Sequence, residues 1–68
     1  MQIKEDIKSA LKWATEMSDI WTNTLVGEFI DREKNILEKA VELEDWEKAE
    51  SAMIDLVFMC HEAEEQYA

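Results

Sequence analysis

A chain of 68 residues with one cysteine, one glycine, no proline and 47% hydrophobic residues has room for one small domain and cannot close an internal disulfide. Its formal charge of −10 argues against direct nucleic-acid binding, because phosphates would repel it, and its apolar content is too high for a disordered acidic tail. The opening MQIKEDIKSALKW lacks the apolar core of a signal peptide, and no apolar run approaches the ~20 residues of a membrane span, so no membrane contact and a cytoplasmic location are expected.

A first helix is predicted over about residues 2–24. Ile3, Ile7, Ala10, Ala14, Met17, Trp21 and Thr24 recur at alternating spacings of four and three, which builds a continuous apolar seam on a helix. Leu11 and Leu25 widen the seam on one side and Trp13 and Ile20 on the other, so the helix is expected to pack against two neighbours. Lys4, Lys8 and Lys12 form a basic ladder on the polar side. A break is expected in TNTLVGEF, where Gly27 takes a left-handed conformation without steric cost, or where Asn23 or Thr24 caps the next helix.

A second helix is predicted over about 28–43, with Phe29, Ile30, Ile36, Leu37, Ala40 and Val41 on one face and Glu33 interrupting it. Asp45 is a good N-cap for a third helix over about 46–66, and Glu47 lies in its first turn, where the helix dipole favours an acid. Trp46, Ala49, Met53, Leu56, Val57, Cys60, Ala63 and Tyr67 form its stripe. The stretch MIDLVFMC is apolar almost all round, which leaves Ile54 and Phe58 surplus to an internal core and marks them for self-association. The expected fold is all-α: a single domain over 1–68, a small three-helix up-down-up bundle that self-associates. The alternative is a helical hairpin stable only as a dimer.

Chemistry is sparse. Cys60 and His61 are adjacent and therefore point about 100° apart on a helix. Phe58 occupies the position where a Glu-x-x-His metal motif needs its glutamate, so a metal-dependent activity at His61 is the weakest reading. A single histidine, a single cysteine and no glycine-rich turn leave no nucleophile–base pair and no oxyanion or phosphate cradle. The expectation is no enzyme, no cofactor and no resident metal.

Charge is unevenly placed. Residues 1–23 hold three lysines against four acids, whereas residues 45–68 hold Lys48 against seven acids. Glu62, Glu64 and Glu65 lie near a helix C-terminus and the lysine ladder near a helix N-terminus, each on the side the dipole disfavours. Such charges suit a solvated face or a basic partner. The function expected is a non-catalytic interaction protein that binds and modulates, by inhibition, another protein with a basic surface, as small viral or mobile-element accessory proteins do. One form of this is nucleic-acid mimicry by carboxylates. Asp45, Glu47, Glu50, Glu62, Glu64 and Glu65 are the candidate partner-binding acids, with Trp13 and Phe58 as anchors. The alternative is a structural or regulatory homo-oligomer whose main partner is itself.

Overall fold

With no proline and its only glycine in a first turn, the chain has little to interrupt a helix beyond two short connections. The computed structural model describes residues 3–67, and of Ile3 and Tyr67 the backbone alone. Three helices occupy that span: α1, Ile3–Ile20; α2, Leu25–Glu42; and α3, Trp46–Tyr67. No strand occurs among the described residues. A helix start at residue 2 and the core roles expected of the Ile3 and Tyr67 side chains lie outside what is described.

The first connection follows one of the two expected breaks, the Thr24 cap, with the helix bounds shifted. α1 ends at Ile20 rather than near 24, and α2 begins at Leu25 rather than near 28. Asn23, not Gly27, takes the left-handed conformation, with φ of 62°. Asn accepts this region because its short amide can hydrogen-bond locally. Thr24 is then extended, at φ −121° and ψ 163°, and caps α2: its Oγ1 accepts from the Gly27 N–H at 3.1 Å and donates to the Trp21 carbonyl at 2.5 Å. Gly27 serves by size, because a Cβ there would overlap the Trp21 carbonyl oxygen.

The second connection is a Schellman-type cap. The Asp45 N–H reaches the Ala40 carbonyl at 2.9 Å and the Glu44 N–H reaches that of Val41 at 3.0 Å, with Glu44 left-handed at φ 56°. Asp45 then starts α3, its Oδ1 accepting from the Lys48 N–H at 3.2 Å.

Each helix packs against the other two, most extensively α2 against α3. Trp46 at the start of α3 lies under Lys4 of α1, 5.9 Å from Nζ to ring centroid. Further along, Trp13 meets His61 edge to face at 4.8 Å. Both contacts run in the same sense along α1 and α3, so these two helices are parallel and the bundle is up-down-up. The core is Ile7, Ala10, Ala14 and Met17 from α1, Ile30, Leu37 and Ala40 from α2, and Ala49, Ala52, Leu56, Cys60 and Ala63 from α3. Half of these are alanines, so close approach of the helix backbones does what large side chains do elsewhere. The largest fully buried side chains are only Ile30, Leu37, Leu56 and Cys60. Half-buried Leu11, Trp13, Trp21, Trp46, Met53 and Met59 close the edges. Leu25 and Ile20, expected to widen the α1 seam, face outward instead.

Candidate interaction surface

The geometry of α3 follows from its register. Leu56 is fully buried, and residues two positions before and after it lie about 200° around the helix, almost on the opposite side. Those residues are Ile54 and Phe58, 58% and 62% exposed. Helical spacing continues their line through Glu50 and Glu47 toward the N-terminus and through Glu62 and Glu65 toward the C-terminus, all exposed. The outward face of α3 is thus an isoleucine–phenylalanine pair with two carboxylates beyond each end.

Three of the acids and aromatics singled out in the sequence fall elsewhere. Asp45 is engaged as the α3 cap. Glu64 lies one turn beyond Cys60 on the inner flank. Trp13 is half-buried at the α1–α3 seam, where it packs on His61 and, with Ala10, Met53 and Val57, lines a shallow depression of about 310 Å³. Asp45, Glu64 and Trp13 therefore do not share a patch with Phe58, whereas Glu47, Glu50, Glu62 and Glu65 do.

A second exposed stripe was not anticipated. Leu25, Phe29, Ile36 and Leu43 are 84%, 40%, 36% and 67% exposed along one flank of α2. Arg32 and Lys39 complete the series at spacings of four, three, four, three and four, the pattern of a helix-pairing seam. Phe29 and Ile36 were expected on the core face, but that face is Val26, Ile30, Leu37, Ala40 and Val41, and the stripe sits beside it. Around Ile36, Arg32, Lys39 and Lys48 border an open hollow of about 420 Å³. Three of the seven basic residues of the chain meet there.

A larger open groove of about 500 Å³ lies at the end of the bundle that carries Lys4, with Ile7, Leu11, Val41 and Trp46 as its apolar floor and Lys4 and Lys8 at its rim. Burial first, and the Glu64 carboxylate second, push the Cys60 thiol up to about 11, so it is protonated at neutral pH and is no nucleophile. Among the described residues, no three His, Cys, Asp or Glu side chains are grouped to hold a metal ion. No described helix is long and apolar enough to cross a membrane. Compared with known proteins, the chain matches no family model, and no curated protein or solved structure is detectably similar to it.

Proposed function

We propose that the protein is a non-catalytic interaction module that docks the outward face of α3 on another protein and thereby blocks that protein's basic surface. The observation that supports this reading is the exposure of Ile54 and Phe58 on the side of α3 opposite its core, with Glu47, Glu50, Glu62 and Glu65 beyond them. An apolar centre with a charged rim is the anatomy of a protein–protein contact, in which an aromatic anchor supplies much of the affinity and rim charges set partner choice and on-rate. The matching surface is an apolar hollow bordered by lysine or arginine. Mimicry of a nucleic acid is the narrower form of the same idea and uses the same carboxylates.

The test is capture from lysate of the source cell by the immobilised chain, scored by which proteins a variant loses. Phe58→Asp and the double variant Glu62→Gln/Glu65→Gln should lose the same bound protein, and Glu16→Gln on exposed α1 should keep it. A partner retained by both α3 variants would remove this face from the function. Competition by duplex DNA for the captured partner would favour the mimicry form.

A further inference from the structure

Two exposed apolar stripes of opposite charge on one small molecule form a complementary pair. The α3 face carries Ile54 and Phe58 between acids, and the α2 flank carries Ile36 between Arg32 and Lys39. We propose that copies of this chain associate head to tail, with the α2 flank of one copy seated on the α3 face of the next, and that this contact masks the face through which the protein binds its partner. The masking part rests on the function proposed above; the contact itself does not.

The spacings agree. With Ile36 set between Ile54 and Phe58, Arg32 and Lys39 are seven residues apart, about 10 Å along the axis, and Glu50 and Glu62 are twelve apart, about 18 Å. The mismatch of about 4 Å at each end is within the reach of the long side chains of arginine, lysine and glutamate on helices that pack 8–10 Å apart. The fit is nearly symmetric about Ile36 and holds for either relative direction of the two helices.

Pairing of α3 on α3 is disfavoured by its register. Two α3 faces crossed antiparallel about Leu56 would set Glu50 against Glu62 and Glu47 against Glu65 of a second copy, each pair twice. Like charges directly opposed across an interface are a strong bar to pairing. Two α2 flanks crossed antiparallel about residue 34 would instead set Leu25 against Leu43 and Arg32 against Ile36 of a second copy. An α2–α2 contact is therefore the competing arrangement, and dimerisation of Phe58→Asp alone would reveal it. A contact between two different faces does not close on itself in a dimer, so it propagates to rings or open chains according to the rotation it imposes.

Sedimentation velocity on two variants and their mixture tests this. Phe58→Asp damages the α3 face and leaves α2 intact, whereas Arg32→Glu/Lys39→Glu damages the α2 flank and leaves α3 intact. All three positions are exposed, and helical content by circular dichroism confirms that each variant folds. Wild type should grow beyond two copies as concentration rises, each variant alone should remain monomeric, and the equimolar mixture should form a one-to-one dimer through the single intact pair of faces. Wild type monomeric at high concentration would overturn the proposal. So would either variant dimerising alone, which marks a like-on-like contact, or a mixture that stays monomeric. If the masking holds, Arg32→Glu/Lys39→Glu captures at least as much partner as wild type. Unimpaired self-association without any partner capture would remove the function proposed above and leave the head-to-tail contact standing.

Discussion

Gly27 and Glu44 hold the two connections by opposite means, and each sets a testable energy. Gly27 has ordinary backbone angles, so its requirement is space beneath the Trp21 carbonyl. Gly27→Ala should force the turn apart and cost about 1–3 kcal/mol, as overpacking does, read as a lower midpoint in urea. Without that steric requirement Ala in a helical first turn would be favourable, so a stabilised variant would refute the steric account. Glu44 is a non-glycine residue in the left-handed region, a conformation that costs ordinary residues about 1–2 kcal/mol. Glu44→Gly should therefore stabilise by up to about 1 kcal/mol after the entropy that glycine adds to the unfolded chain, and removal of an acid beside the α2 C-terminus adds to the gain. Cys60 gives a pH signature. Below pH 9.0 folded and unfolded chains both hold the thiol proton; between 9.0 and about 11 only the folded chain does, so stability falls as pH rises through that window. Cys60→Ala lacks this slope, and the difference between the two unfolding series isolates the contribution of the thiol.

At the scale of the element, α1 and the inner stripe of α3 were legible because apolar positions recur at three and four, in α1 with polar residues between them. Ala52 escaped because the three–four series from Ala49 to Leu56 passes through its larger neighbour Met53. α2 was misread at Phe29 and Ile36 for a physical reason: it has two apolar stripes side by side, and periodicity alone does not tell which one the bundle buries. Packing decides, and it buries the stripe that holds Ile30, Leu37 and Ala40. The first connection was open between Gly27 and Asn23–Thr24 because both carry valid turn chemistry, and only the Trp21 carbonyl above Gly27 separates them. The end of α3 was legible in charge and yields a prediction. Glu64 sits where the helix dipole disfavours an acid and next to the Cys60 thiol. Glu64→Gln should raise stability by a few tenths to about 1 kcal/mol in dilute buffer, with the gain shrinking in high salt. A gain that survives high salt would point to packing instead of charge.

The whole molecule measures 32 × 20 × 15 Å and carries a formal charge of −10, so its size relative to the screening length governs its stability. At about 0.01 M salt the Debye length is ~30 Å, comparable with the longest dimension, and every excess carboxylate repels every other. At about 0.15 M it is ~8 Å, and repulsion is confined to neighbours such as Glu62, Glu64 and Glu65. The core that opposes this repulsion is small, its largest fully buried side chains among the described residues being Ile30, Leu37, Leu56 and Cys60, and a chain of this length has only a few kcal/mol in hand. Melting temperature should therefore climb steeply from the lower salt concentration to the higher and flatten beyond it. Each kcal/mol recovered is worth about 4–8 °C in a domain of this size. NaCl and KCl should act alike if screening is responsible, whereas a bound ion would distinguish them. The triple variant Glu62→Gln/Glu64→Gln/Glu65→Gln, which brings the charge to −7, should start higher in dilute buffer and gain less from salt. Measured on the monomeric Phe58→Asp chain, where assembly does not contribute, a melting temperature indifferent to salt would mean that the lysine ladder and the basic hollow at Ile36 already balance the acids locally, and that net charge is not what limits this fold.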